Sequence, residues 1–142
     1  MMYNVLMDVL LDASAIMAII LNESNRDIVV DLTKEATLLS PEMISFEIGN
    51  ALVSLFKRHR LNHTEVLKAY VDFAKIPMRT LKPDMGKALK ISCEYNIYAY
   101  DAYYLETAYR LKLPLITFDK NMTAVGKTMK ITILNGGKNE DI

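Results

Sequence analysis

Short apolar runs alternate along the chain with longer stretches in which apolar residues recur every three or four positions. Residues 5–11 are apolar apart from Asp8 and stop abruptly at Asp12-Ala13-Ser14, the pattern of a buried, central strand that feeds directly into a helix. That helix is expected over 13–21, broken by Asn22 and Glu23, with a second, amphipathic helix over 26–36. Leu38-Leu39 then reads as a very short strand. Ser40-Pro41-Glu42 reads as a helix start, because a serine side chain can cap free amides and proline fits the first helical position, and this helix is expected to reach about residue 60. Beyond it the pattern predicts a helix over 64–75, a strand over 78–81 and a helix over 84–95 behind Pro83. Another helix opens at Ala99 or Asp101 and runs to 111, followed by a strand at 114–118, a helix at 120–128 and a strand at 130–134. The alternation predicts an α/β sandwich, a mostly parallel central sheet with helices on both faces. With no linker, low-complexity tract or repeat, the expectation is one domain over 1–135; residues 135–142 read as a polar tail, with 136–142 outside that domain.

Composition narrows the function classes. At 142 residues and 51% hydrophobic, the chain can bury one proper core. Its 17 basic and 17 acidic side chains cancel, so no broad field draws the molecule to nucleic acid or an anionic membrane. Any nucleic-acid contact must therefore be local. The single Cys93 excludes an intrachain disulfide and a cysteine-based zinc site; it is expected to be a buried thiol, in keeping with a reducing cytoplasm. The apolar run from Val9 to Leu21 is interrupted by Asp12, has no Lys or Arg before Arg26, and is too short to span a bilayer, so no membrane or targeting segment is expected.

Candidate chemistry lies in acidic residues, since open parallel sheets gather function beyond the carboxyl ends of their strands. Asp12 and Asp119 each follow an apolar strand immediately and so project from one sheet edge. Glu47 is expected mid-helix, on a line with Met43, Asn50 and Ser54 that borders the apolar stripe of Ile44, Ile48, Ala51, Leu52 and Leu55. Asp101 shares a helix face with Leu105 and Ala108. Taken singly, Asp12, Asp101 and Asp119 also stand where helix caps belong, and Glu47 reads equally as a solvated glutamate. Together, four carboxylates in one cleft repel one another unless a cation compensates, and oxygen-only ligation suits Mg²⁺ or Mn²⁺. His59 and His63 flank a helix junction and read as solvated.

Four segments then carry a family likeness: Leu11-Asp12-Ala13-Ser14-Ala15-Ile16, Ile44-Ser45-Phe46-Glu47-Ile48-Gly49-Asn50-Ala51-Leu52, Tyr100-Asp101-Ala102-Tyr103-Tyr104-Leu105 and Leu115-Ile116-Thr117-Phe118-Asp119-Lys120. In this order and spacing the chain resembles PIN domains, and within them the VapC-type toxins of toxin-antitoxin pairs. The resemblance implies a PIN-like three-layer sandwich and Mg²⁺- or Mn²⁺-dependent endoribonuclease activity. Asp12, Glu47, Asp101 and Asp119 match the family's acidic catalytic and metal positions, and Ser14, Asn50 and Thr117 its supporting polar neighbours. Also implied are an RNA substrate, an antitoxin partner of VapB type and a homodimer. A housekeeping ribonuclease of the same family, acting in RNA processing, would have much the same sequence features.

Basic residues near the cleft matter more than net charge for drawing in phosphates. Lys57-Arg58-His59-Arg60 is the densest basic run and includes the candidate RNA contacts Arg58 and Arg60, although a helix C-terminus favours such residues anyway. Lys120 is a further candidate, beside Asp119. Tyr98, Tyr100, Tyr103 and Tyr104 surround Asp101, where exposed rings can stack on bases and buried ones fill the core or a dimer contact. A phosphoacceptor receiver domain is the competing class. It needs a central strand ending in aspartate, and the strands ending at Leu39-Ser40 and Leu81-Lys82 supply none.

Overall fold

A computed structural model describes residues 7–137. Five parallel strands form one sheet in the order β3-β2-β1-β4-β5. They are β1 (Met7–Leu11), β2 (Ala36–Pro41), β3 (Arg79–Leu81), β4 (Leu115–Ile116) and β5 (Ile133–Leu134). The helices are α1 (Ala13–Ile20), α2 (Arg26–Leu32), α3 (Ile44–Lys57), α4 (His63–Ala74), α5 (Met85–Tyr95), α6 (Ala99–Leu111) and α7 (Lys120–Thr128). The expected α/β sandwich is observed, with a sheet that is parallel throughout.

β1 is central, pairing Leu10 with Leu39 on one side and with Leu115 on the other. Val9, Leu10 and Leu11 are wholly buried, as the unbroken apolar run requires of a strand covered on both faces. Each such aliphatic side chain contributes about 1.5–3 kcal/mol through burial. Ile16 from α1, Ile44, Ile48 and Leu52 from α3 and Leu105 from α6 complete the core.

Chain order steps outward from β1 to β2 and β3, then crosses back over β1 to β4 and β5. Right-handed crossovers assign connections running in opposite directions to opposite faces, so α1 to α4 cover one face and α5 to α7 the other. Helix contacts agree: α1 packs on α2, α3 and α4, whereas α6 packs on α5 and α7. The order reverses between β1 and β4, which opens a crevice at the carboxyl ends of those two strands.

Several boundaries differ from the sequence expectations. β2 is a six-residue strand, and Ser40-Pro41 is its end, not a helix start. Ser40 is fully buried, and its hydroxyl donates to the Leu11 carbonyl oxygen at 2.9 Å, so pairing with β1 claims the side chain expected to cap a helix. α3 begins two residues after Glu42, capped by Met43 without a side-chain bond. α2 stops at Leu32 because the chain must turn into this longer strand. β4 and β5 keep only two residues each. Residues 5 and 6 of the expected first strand, and 138–142 of the expected tail, lie outside the described residues. Asn135, assigned to the tail, is buried. Cys93 is exposed, on the outer side of α5, contrary to the expected buried thiol.

Candidate functional site

Asp12 occupies the point where the central strand becomes a helix. Its backbone is extended, with φ −91° and ψ 179°, and its side chain caps α1. Oδ1 accepts from the Ala15 amide at 3.0 Å and the Ser14 hydroxyl at 2.7 Å, while Oδ2 accepts from the Thr117 hydroxyl at 2.5 Å. The network continues into the loop after β4, where the Phe118 amide donates to the Ser14 oxygen at 3.0 Å and the Asp119 amide to the Thr117 oxygen at 3.1 Å. Ser14 and Thr117 therefore hold Asp12 and join the carboxyl ends of two neighbouring strands. Burial nonetheless pushes the Asp12 carboxyl up to about 6, against these three hydrogen bonds and with a further push from the charge of Asp119.

Asp119 caps α7, accepting from the Met122 amide at 2.7 Å through Oδ1. Asp101 does not cap its helix; Tyr98 holds that place without a side-chain bond, and Asp101 lies in the first turn of α6. Half-buried there, its carboxyl is raised to about 6 by burial, then by the charges of Asp119 and Asp12. Glu47 is not mid-helix but in the first turn of α3, because the helix starts later than Ser40-Pro41 suggested. Its carboxyl is also raised, by burial first and then by Asp12 and Asp101, although the Tyr104 hydroxyl donates to Oε2 at 2.7 Å.

Four carboxylates from four segments thus stand within electrostatic reach of one another. Glu47 feels the charges of Asp12 and Asp101, Asp101 feels that of Asp12, and Asp119 acts on both Asp12 and Asp101. None of the four takes part in a salt bridge among the described residues. Among the described residues no group of three or more His, Cys, Asp or Glu side chains is gathered closely enough to hold a metal ion as it stands. Such a cluster of oxygen donors, loosely gathered, repelling and without a compensating cation, fits a divalent ion of the Mg²⁺ or Mn²⁺ kind, which keeps several waters and needs few direct protein ligands.

Tyr104 is the residue whose part beside Glu47 sequence reasoning missed. It is wholly buried, and burial together with the Glu47 charge drives its hydroxyl pKa far upward, so it stays a donor to Glu47. Its position three residues after Asp101, on the same helix face, was the available signal. Tyr98 and Tyr100 are exposed, Tyr100 lying edge-on to Tyr103 with centroids 5.7 Å apart.

The remaining candidates sit less centrally. Asn50 is exposed and joins none of these bonds among the described residues. Arg58 and Arg60 are exposed at the far end of α3, and the rise of a helix puts Arg58 about 16 Å along the axis from Glu47. Lys120 is exposed at the start of α7, adjoining Asp119. His59 and His63 are exposed. A broad cavity at the other sheet edge, against Met7, Pro114 and Ile131 where strands begin, contains none of the four carboxylates.

A parallel sheet with helices on both faces and an acidic crevice at its switch point admits two classes, a receiver domain and an acidic-site nuclease fold. The argument against a receiver from Leu39-Ser40 and Leu81-Lys82 does not hold, because the central strand is β1 and it ends at Asp12. The family comparison separates the two: the PIN domain matches residues 9–128, and the chain belongs to the PIN-domain family. Among curated proteins none matches the sequence. Solved structures that share the fold include the following two. PAE2754 from Pyrobaculum aerophilum is 21% identical with a TM-score of 0.67, over 85% of this chain and 87% of that one. VapBC2 from Rickettsia felis, solved bound to a DNA fragment from their promoter, is 12% identical with a TM-score of 0.60, over 89% of this chain and 97% of that one. Among the described residues no helix is long and apolar enough to cross a membrane.

Proposed function

We propose that this PIN domain is a divalent-metal-dependent endoribonuclease and the toxin of a toxin-antitoxin pair, with a VapB-type antitoxin as its partner. The observation that carries the reading is the buried Asp12 carboxylate, fixed by Ser14, Ala15 and Thr117 at the switch point and facing the charges of Glu47, Asp101 and Asp119. The toxin assignment rests on the four-segment pattern and on the likeness in fold to a VapBC assembly. Asp12 with Glu47, Asp101 and Asp119 would hold Mg²⁺ or Mn²⁺, which would supply Lewis-acid stabilisation of phosphate oxygens.

The chain's own groups have separable roles. Asp12 is immobilised by three donors and orients the site. Glu47 is fixed in direction by Tyr104. Asp101, half-buried in the first turn of α6, is the carboxylate we assign to take a proton from the attacking water. As that water's oxygen bonds to phosphorus, the bond from phosphorus to the ribose oxygen breaks and the strand is cut. Lys120 adjoins this centre as a cation for the phosphate backbone.

The test is cleavage of single-stranded RNA with Mn²⁺ or Mg²⁺, against chelator and Asp12→Asn. Activity is expected to vanish with chelator and to drop at least about 100-fold in the variant, the order of a lost essential group. Cleavage that persists in chelator, or full activity in Asp12→Asn, overturns the reading.

A further inference from the structure

The amino edge of the sheet contrasts in charge with the acidic crevice at its carboxyl edge. A cavity of about 1240 Å³ opens there between α5, the end of α6 and the turn after α7. Five cations line it: Lys87 and Lys90 from α5, Arg110 and Lys112 from the end of α6, and Lys130 from behind α7. Two carboxylates stand against them, Glu94 and Glu106. Glu106 is buried and already engaged, since Arg110 Nε donates to its Oε2 at 2.7 Å and the Asp84 amide to its Oε1 at 2.8 Å. The four lysines are exposed and, among the described residues, take part in no salt bridge.

Local structure does not account for these cations. Lys87 is in the first turn of α5, where the helix dipole disfavours positive charge. Lys112 and Lys130 hold left-handed backbone, φ 53° and 63°, just past helix ends where glycine or asparagine is the ordinary choice. Arg110 does suit the last turn of α6, but its guanidinium is also fixed in place. Besides the bond to Glu106, Nη2 donates to the Lys82 carbonyl oxygen at 3.1 Å. Nη1 has no hydrogen bond among the described residues, which leaves an immobilised donor at the cavity wall. Tyr109, 60% exposed, brings an aromatic ring to the same wall.

An unpaired cationic lining calls for an anionic ligand, and a fixed guanidinium beside an exposed ring suits a phosphate next to a base. The cavity exceeds the roughly 300–1,000 Å³ of small-molecule pockets, and its cations come from three separate elements. Both features favour an extended chain over a compact ligand. We infer that this groove anchors single-stranded RNA, holding phosphates and a stacked base of the strand away from the point of cleavage. The identity of the polyanion rests on the nuclease reading. Asp101 and Arg110 stand on one helix, about 13 Å apart along its axis, so a strand of several nucleotides reaches both. The acidic crevice repels a phosphate backbone, with Lys120 a single cation beside it, and a cationic foothold at the other edge offsets that repulsion.

Fluorescence anisotropy of end-labelled RNA in chelator reads binding apart from cleavage. An RNA of about 16 nucleotides is expected to bind at least about 10-fold tighter than one of about four, because only the longer reaches both ends of α6. Lys87→Glu with Lys90→Glu is expected to remove most of that advantage. It should also reduce the slope of log K against log salt by about 1.4, two phosphate contacts at about 0.7 each. Lys112→Asn with Lys130→Asn deletes two further cations and suits the left-handed backbone, so it is expected to weaken the long RNA similarly with no fall in melting temperature. Arg110 stays in both variants, because its loss would bare the buried Glu106. A mononucleotide at about 1 mM is expected not to displace the long RNA, since it offers the groove one phosphate. Equal affinity for the two lengths, an unchanged affinity and salt slope in both variants, or displacement by the mononucleotide overturns the groove as an RNA anchor. RNA that is cut in Mn²⁺ while both variants bind it as the wild type does overturns the groove alone. Groove-dependent binding without any cleavage overturns the nuclease reading alone.

Discussion

At Asp12, burial and hydrogen bonding act in opposite directions. Burial wins, so the carboxyl titrates near 6 in place of its ordinary 3.8, which disfavours the ionised folded state by about 3 kcal/mol above pH 6. Between these two values the folded protein holds more protons than the unfolded chain, so stability falls as pH rises from about 4 through 6. Asp101 adds in the same direction, less strongly for being half-exposed. Thermal unfolding of the metal-free protein in chelator is therefore expected to occur at a higher temperature at pH 5 than at pH 7.5, with a shallower slope in Asp12→Asn. An identical slope in the two proteins would rule out Asp12 as its source. Asp12 was legible from sequence because a long apolar run ended on it. The raised carboxyl was not, since it depends first on burial under distant segments and then on the charge of Asp119, 107 positions further along the chain.

Among the elements, α7 begins at a side chain that caps a helix and also belongs to the candidate site. Asp119 caps it, and asparagine caps a helix nearly as well, whereas alanine does not. Asp119→Ala is expected to lose about 1 kcal/mol of stability and Asp119→Asn only a few tenths. Both are expected to lower metal-dependent cleavage about equally, because both remove the carboxylate. Denaturant unfolding beside an RNA-cleavage assay separates the two effects, and full activity in Asp119→Asn would limit Asp119 to capping. The helices were readable from their periodicity and, for α1 and α7, from Asp12 and Asp119 standing where caps belong. Ser40-Pro41 misled because local helix-start chemistry is outweighed by pairing with β1 and β3, a non-local interaction. The consequence reached the site: starting α3 later moved Glu47 into the first helical turn, against the dipole's positive end.

For the whole molecule, the reversal of strand order between β1 and β4 makes the site, because it opens the sheet edge to which all four acidic segments lead. A cluster of mutually repelling carboxylates destabilises the metal-free fold, and an ion that binds only the folded form relieves it. Mn²⁺ at about 100 times its Kd is expected to add about 2.7 kcal/mol, which for a domain of this size is roughly 8 °C in melting temperature. That gain should shrink below pH 6, where protons compete for Asp12 and Asp101. A melting temperature that ignores Mn²⁺ at pH 7.5 would remove the metal from this cluster.

The sequence by itself determined the α/β class, a mostly parallel sheet and a buried first strand, and offered the four carboxylates as candidates, because apolar periodicity and strand-end position are local properties of the chain. Only the tertiary structure decided that Ser40 ends a strand, that Tyr104 serves Glu47, that Cys93 faces solvent and that Ser14 and Thr117 converge on Asp12. Each of those depends on what a side chain meets from a distant segment, and proximity across the fold is set by the crossover topology, which no local pattern encodes.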